Sequence, residues 1–150
     1  MKSNLKNIVL LGHMGCGKTT IGKNLARKLE CDFIDTDYEI EKSANSKIST
    51  IFLNKGEYEF RKIEEDIISN ILISETGSVI ALGGGSFENK NIRNLVLKKN
   101  ISIWLKCNIN ILVERLKKNN NRPLLIGKDI QSEIIILDKA RKINYEKSDF

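Results

Sequence analysis

Glycine, lysine and threonine stand at a characteristic spacing in one short segment near the start of this 150-residue chain. Residues 12–20 read Gly-His-Met-Gly-Cys-Gly-Lys-Thr-Thr and satisfy the pattern G-x-x-x-x-G-K-[ST]. In such a loop, backbone N–H groups and a helix N-terminus face an anion, a lysine contacts the outer phosphates and a threonine hydroxyl reaches Mg²⁺. The segment therefore predicts a nucleotide site. The residues expected to contact the nucleotide are Gly12, Gly15, Cys16, Gly17, Lys18, Thr19 and Thr20.

The residues on either side have the arrangement that a phosphate-binding loop needs. Residues 6–11 form an apolar run suited to a buried strand, and Ile21, Leu25, Ala26 and Leu29 follow at helical spacing. A strand, a glycine-rich loop and a helix in this order favour a nucleotide site over a glycine turn without function. Within the loop, Cys16 is better explained as a small residue that fits than as a reactive thiol.

Two carboxylates follow the second predicted strand, at Asp35 and Asp37. Side chains two residues apart at a strand end point roughly the same way. One of them could hold Mg²⁺ through water, while the other accepts a proton from a substrate hydroxyl. Asp37 could instead cap the next helix, and the sequence leaves both alternatives open.

Three consecutive glycines, Gly83, Gly84 and Gly85, follow the third predicted strand. They expose backbone N–H groups and let a ligand approach the chain closely, although a flexible turn would have the same composition. No acidic residue stands at this strand end, so support for a metal is expected from Asp35.

Arginines supply the remaining candidates. Arg61 and Glu64 share a helix face, either as a surface salt bridge or as a pair in which Glu64 orients Arg61 toward a carboxylate. Arg122 precedes the only proline, in a polar segment (about residues 117–129) that could close over a nucleotide and bring Arg122 onto the transferring phosphoryl group. Arg115 could stack on adenine. Each could also be an ordinary surface arginine.

Short apolar runs alternate with helical patterns along the chain. The strands are expected at residues 6–11, 33–34, 78–82 and 101–105, and the helices at 20–29, 37–44, 48–54, 57–73, 91–98, 109–118 and 130–145. This alternation predicts an α/β fold, with three α/β/α layers around a parallel sheet, in one domain spanning residues 1–150. Ligands bind such sheets at the carboxyl ends of the strands, where all of the motifs above lie.

Composition excludes several other functions. The net charge of +6 comes from lysines spread beside acidic residues, which indicates solvated helix faces rather than a nucleic-acid partner. No apolar stretch approaches the roughly 20 residues of a membrane span. The three cysteines form no C-x-x-C pair and no signal sequence is visible, which favours the cytoplasm. His13, the only histidine, is expected to have no catalytic role.

In order along the chain, these motifs resemble those of shikimate kinase, in the nucleoside-monophosphate-kinase-like group of phosphate-loop proteins. The resemblance covers nearly the whole chain. Asp-x-Asp, Phe-Arg-x-x-Glu and the triple glycine in this order are much more specific than the loop alone. The matching positions are 12–19, Asp35, Asp37, Gly56, Phe60, Arg61, Glu64, 83–85, 122–125, Arg141 and Tyr145.

The resemblance implies transfer of the ATP γ-phosphoryl group to the 3-hydroxyl of shikimate, a precursor of aromatic amino acids. Asp37 would bind the ring hydroxyls and could take the proton, within a substrate-binding region at about residues 35–64. The other implied roles are carboxylate binding by Arg61 and Arg141, ring contact by Gly83, Gly84 and Gly85, charge stabilisation by Lys18 and Arg122, Mg²⁺ binding by Thr19 and Asp35, and adenine contact by Arg115.

The sequence departs from the family in two places. Residues 142–150 replace the Pro-Leu-Tyr run that commonly follows Arg141, and the chain stops at Phe150, where the family usually begins a fifth strand and a final helix. A monomer is expected, but a bare edge on a four-stranded sheet would favour self-association or instability. Two alternatives remain: a gluconate-type small-polyol kinase, and a nucleotide-binding protein of the same fold that is impaired or does not catalyse.

Overall fold

A parallel four-stranded sheet forms the centre of the computed structural model, which describes residues 5–119, 125 and 127–150. The strands are β1 (Ile8–Leu11), β2 (Phe33–Asp35), β3 (Val79–Ala81) and β4 (Ile101–Trp104). Their order is β2-β3-β1-β4, and all three neighbouring pairs are parallel. Since β1 lies between β3 and β4, the loop that follows it emerges near the middle of the sheet's carboxyl edge.

Helices connect the strands and cover the sheet. They are α1 (Lys18–Leu29), α2 (Thr36–Ala44), α3 (Ile48–Ser74), α4 (Lys90–Lys99), α5 (Ile109–Lys117) and α6 (Ile130–Tyr145). Gly56 interrupts α3 with a non-helical φ of 81° and ψ of 172°, which confirms the two predicted helices on either side of it. A short 3-10 turn spans Ser86–Glu88.

The core lies on both faces of the sheet. Val9 on one face packs in a buried cluster with Ile68 of α3 and Ile92 of α4, whereas Leu10, on the opposite face, packs with Ala26 of α1. Alternate side chains of a strand point to opposite faces, so a strand covered by helices on both sides is apolar throughout. The predicted three-layer α/β/α class is confirmed. No helix in the described ranges is long and apolar enough to cross a membrane.

The last two residues pair with the edge strand β4. The N–H of Phe150 donates to Ser102 O (3.1 Å) and the N–H of Trp104 donates to Phe150 O (2.8 Å), the pattern of a parallel bridge. The Asp149 carboxylate accepts hydrogen bonds from the Ser102 N–H (2.8 Å) and hydroxyl (2.9 Å), and these bonds lower the pKa of Asp149. The expectation of a bare edge is therefore wrong for the middle of β4, because Asp149 and Phe150 form hydrogen bonds with the backbone groups of that edge.

Candidate active site

The phosphate-binding loop joins β1 to α1, and two of its glycines have backbone conformations that other residues rarely adopt. Gly12 has a φ of 142° and Gly17, which caps α1, a φ of 99°. A Cβ at Gly12 would lie only 2.8 Å from both Cys16 Sγ and Leu105 O. The glycine spacing is therefore a steric requirement of this turn.

The loop's lysine and threonine are positioned at the first turn of α1. Lys18 Nζ donates to the carbonyl oxygens of Gly12 (2.6 Å) and His13 (2.9 Å), which places the ammonium across the loop. The Thr19 hydroxyl donates to Asp35 Oδ2 (2.9 Å) at the end of β2. A hydroxyl and a carboxylate thus meet beside the loop; these are the two groups to which the sequence assigned Mg²⁺, and the magnesium site stays a prediction.

Asp35 also caps helix α2 with its other oxygen. Asp35 Oδ1 accepts the backbone N–H groups of Asp37 (3.0 Å) and Tyr38 (3.4 Å). The alternative in which Asp37 is the helix cap is therefore wrong. Asp37 lies in the first turn of α2 and does not cap it.

Two clefts meet at Asp37. The first, called here the loop cleft, has a volume of about 530 Å³ and is lined by residues 14–21, Asp35, Asp37, residues 81–84 and Arg115. The second, called the arginine cleft, has a volume of about 460 Å³ and is lined by Met14, Asp37, Glu41, residues 47–49, Phe52, Phe60, Arg61, Glu64, residues 83–85 and Arg141. They share Met14, Asp37, Gly83 and Gly84. A group passing from one cleft to the other would pass the Asp37 carboxylate.

The triple glycine forms the wall between the clefts. The N–H of Gly83 donates to the buried Thr36 hydroxyl (3.2 Å), which ties this turn to the start of α2. A Cβ at Gly83 would lie 2.8 Å from Asp37 Oδ1. At Gly85, a Cβ would lie 2.6 Å from a guanidinium nitrogen of Arg61 and 3.1 Å from one of Arg141. The glycines thus leave room for the carboxylate and for two guanidinium groups that converge on one point.

Arg61 is held in place by a buried carboxylate. Its Nη1 donates to Glu64 Oε1 (2.8 Å), and the Ser86 hydroxyl donates to Glu64 Oε2 (2.8 Å). Glu64 is only 2 % exposed, so the alternative of a surface salt bridge is wrong. With both its oxygens engaged, Glu64 can fix the direction of Arg61.

Arg141, on α6, completes the arginine cleft. It is 4 % exposed, and its Nη1 has no hydrogen-bond partner among the described residues. A buried charge without full pairing is costly, so a guanidinium nitrogen left in this state favours an anionic ligand. Two convergent arginines suit a carboxylate, which accepts parallel hydrogen bonds from guanidinium groups.

Three further residues were predicted to contact the nucleotide: Arg115, Arg122 and Cys16. Arg115 Nη1 donates to Gly15 O (2.9 Å) at the edge of the loop cleft. Arg122 lies outside the described residues, as do residues 120, 121, 123, 124 and 126 of the predicted 117–129 segment. Cys16 is buried in an apolar cluster with Leu116 and Leu125, consistent with a small residue that fits the loop.

His13, whose burial the sequence did not predict, is only 3 % exposed. Its Nε2 lies 2.8 Å from Asp138 Oδ1 on α6, and its ring meets Tyr145 edge-on. Burial lowers the pKa of His13; the Asp138 carboxylate raises it, while the charges of Arg141 and Lys18 lower it further. The net direction is downward, so His13 is neutral at pH 7 and its Nε2–H donates to Asp138.

The lowered pKa of His13 predicts a pH-dependent stability. An unfolded histidine titrates near pH 6.5, above the folded value, so the unfolded state binds more protons between the two pKa values and stability is lost as the pH is lowered. We expect the free energy of unfolding to fall between about pH 7 and pH 5.5, and to fall less in His13→Gln. Urea denaturation measures both. Carboxylates titrate mainly below about pH 4.5, so they contribute little in this pH range. If the free energy of unfolding changed equally with pH in the wild type and in His13→Gln, the prediction would be contradicted.

The fold and the site together are typical of one class of enzyme. A phosphate-binding loop after a central parallel strand, beside a second cleft with a carboxylate and paired arginines, is the arrangement of a phosphate-loop kinase. The sequence matches the shikimate kinase family over residues 14–150. The chain belongs to that family.

Individual relatives agree with this assignment. A shikimate kinase from Zymomonas mobilis is 44 % identical over 140 residues, which are 93 % of this chain and 79 % of the relative. The structure of a shikimate kinase from Acinetobacter baumannii in complex with shikimate superposes with a TM-score of 0.93 at 34 % identity, covering 97 % of this chain and 81 % of that one.

A more distant likeness bears on the alternative of a small-polyol kinase. A gluconokinase from Sinorhizobium meliloti matches with a TM-score of 0.50 and 14 % identity, over 88 % of this chain and 74 % of that one. At this identity the likeness shows the fold alone. It therefore does not favour gluconate as the acceptor.

Proposed function

We propose that the protein transfers the γ-phosphoryl group of ATP to the 3-hydroxyl of shikimate. The observation that carries the proposal is the buried Arg141 guanidinium, which converges with Arg61 on Gly85 and has an Nη1 without a partner among the described residues. Shikimate is a polyol with one carboxylate, and a carboxylate held there would place its ring toward Asp37. Membership of the shikimate kinase family supports the same acceptor.

The loop cleft would hold the donor. ATP phosphates would lie against the loop N–H groups at the start of α1, with Lys18 on the outer phosphates and Arg115 toward the adenine. Arg122 is proposed to reach the transferring group, as the sequence resemblance implies. Thr19 Oγ1 and Asp35 Oδ2, 2.9 Å apart, would hold Mg²⁺, which neutralises phosphate charge when bound.

In the chemical step, the shikimate 3-hydroxyl oxygen bonds to the γ-phosphorus as the bond from that phosphorus to the ADP oxygen breaks. Asp37 binds the hydroxyl and accepts its proton, since it lies where the two clefts meet. The N–H groups of the triple glycine would line the ring; in this structure that of Gly83 donates to Thr36. Phosphoryl transfer needs mainly positioning and charge stabilisation, which these residues can supply.

The acceptor can be tested with the purified protein and a panel of small polyols. In a coupled assay of ADP release, we expect turnover with shikimate, and little with gluconate or with nucleoside monophosphates. Asp37 would repel the phosphate of a nucleotide acceptor. A gluconate kinase would have no need for the ordered set of Asp-x-Asp, Phe-Arg-x-x-Glu and triple-glycine motifs. Equal or faster turnover with gluconate would contradict the proposal. Calorimetry that detects ATP but not shikimate would favour a protein that binds nucleotide without catalysis.

Glu64 is expected to act through Arg61. We predict that Glu64→Gln raises the KM for shikimate by about 10-fold, because the lost charge removes one charge-assisted hydrogen bond worth about 1.5 kcal/mol. The KM for ATP should change little, since Glu64 lines only the arginine cleft. Steady-state kinetics with each substrate varied in turn measures both. Glu59→Gln, on the exposed side of α3, is the matched control, and equal effects on both KM values would contradict the assignment.

We further propose a single-domain monomer that acts in the cytoplasm. The three cysteines are free thiols, consistent with a reducing compartment, and Asp149 and Phe150 satisfy the middle of the β4 edge. Size-exclusion chromatography with light scattering should give the mass of one chain. A concentration-independent dimer would contradict this proposal.

A further inference from the structure

Helix α6 touches both clefts through one face. Asp138, Arg141 and Tyr145 are three and then four residues apart, which places them on the same side of the helix. Asp138 bonds to His13 in the phosphate-binding loop (2.8 Å), and the Tyr145 hydroxyl bonds to Gly84 O in the triple glycine (2.5 Å). Arg141, between these two contacts, lines the arginine cleft.

His13 connects this helix to the part of the loop that surrounds the phosphates. Its backbone oxygen accepts from Lys18 Nζ (2.9 Å) and from the Cys16 N–H (3.2 Å). Its side chain points the other way, into the structure, and reaches Asp138 across 125 residues of sequence. One residue therefore contacts the lysine proposed to bind phosphate and the helix that carries the proposed shikimate arginine.

The surroundings of His13 favour a specific hydrogen bond over general packing. The charged groups around its ring are Asp138 and Arg141 from α6 and Lys18 from α1, and Tyr145 packs against it. Of the three charged groups, only Asp138 can accept a hydrogen bond from neutral His13. The Asp138 side chain is 30 % exposed, so water could satisfy it, yet it is directed at His13.

We propose that the His13–Asp138 hydrogen bond is a positioning contact that couples the two clefts. Phosphates bound at the loop engage Lys18 and change its contact with the backbone of His13; the change passes through Asp138 to Arg141, one helical turn further on. Nucleotide binding thereby raises the affinity for shikimate, and by reciprocity shikimate raises the affinity for nucleotide. The inference rests on the proposed function, because it takes shikimate as the ligand of Arg141.

The coupling can be measured without turnover. Calorimetry gives the Kd of shikimate with and without saturating MgADP, and the ratio of the two values is the coupling factor. For the wild-type protein we expect a factor of at least about 5, the lower end of typical allosteric couplings. Asp138→Ala should bring the factor close to one. Asp138→Asn should keep part of it, since its amide oxygen can still accept the hydrogen bond from His13.

A purely structural role predicts a different result. Asp138→Ala would then lower the melting temperature and leave the coupling factor at the wild-type value. Lys142→Gln, which removes an exposed ion pair with Glu146 on the same helix, is the matched control and should keep the wild-type factor. If Asp138→Ala does not fold, His13→Leu removes the same hydrogen bond and is expected to lose the coupling in the same way.

The outcomes separate this inference from the proposed function. A wild-type factor of one, or equal factors in the wild type and in Asp138→Ala with both ligands still bound, would overturn the coupling and leave the activity intact. A wild-type protein that binds MgADP but not shikimate would overturn the proposed function, and the coupling with it.

Discussion

Asp37→Asn is expected to lower kcat for shikimate phosphorylation by about 10²- to 10⁴-fold, the usual contribution of a positioned general base. Asparagine has nearly the same shape and can still contact a ring hydroxyl, but it cannot accept the proton. The helix that carries position 37 should be unaffected, because its cap is Asp35. The affinity for ATP should also be preserved, since the phosphates are proposed to lie against the loop.

The measurement combines steady-state kinetics with calorimetry of nucleotide binding. Asp66→Asn is the matched control, because Asp66 is an exposed carboxylate on α3 that lines neither cleft. Its kcat should equal that of the wild-type protein. If Asp37→Asn kept near-normal turnover with shikimate, Asp37 would not be the base and the proposed chemistry would be wrong.

Local patterns predicted most of the fold. The bounds of α6 were predicted at residues 130–145 and are found there, because the helical pattern lies within one continuous segment. The two helices on either side of Gly56 were likewise predicted, at residues 48–54 and 57–73. Three strands, β1, β3 and β4, are shorter than predicted, since an apolar run continues past the residues that are paired in the sheet, whereas β2 is one residue longer than predicted. β3, for instance, covers only residues 79–81 of the predicted 78–82.

The candidate site was predictable where its parts are contiguous. The loop spacing is set by backbone conformation, and Arg61 and Glu64 are neighbours on one helix, so their sequence positions already imply the contact. Sequence left open whether Asp37 caps α2 or acts on a ligand, and it did not identify Asp35 as the cap. The answer depends on which carboxylate turns back toward the helix N–H groups, and residue type does not determine that.

Contacts between distant segments could not be predicted. A histidine in a loop gives no signal of burial, and its partner Asp138 lies 125 residues away on a helix whose facing side is fixed only by packing. The same is true of Phe150, which pairs with β4 through backbone groups that every residue has. The convergence of Arg61 and Arg141 near Gly85 also depends on tertiary packing, although the family resemblance had named both arginines.

Substitution of the buried Arg141 is expected to weaken shikimate binding strongly without lowering the stability of the protein. Arg141→Met should raise the KM for shikimate by about 10²- to 10³-fold, since truncating one partner of a buried charged contact costs about 3–4 kcal/mol. The KM for ATP should change much less. The free protein should not be destabilised, because methionine replaces a buried charge whose Nη1 has no partner among the described residues.

Thermal unfolding and steady-state kinetics on the same preparation test both parts of this prediction. Arg27→Met, which removes an exposed guanidinium bonded to Asn24 on α1, is the matched control and should leave both KM values unchanged. A large fall in melting temperature with a small change in the KM for shikimate would make Arg141 a structural residue. A raised KM at an unchanged or higher melting temperature would mean that the buried charge is kept for the acceptor, at a cost to the stability of the free protein.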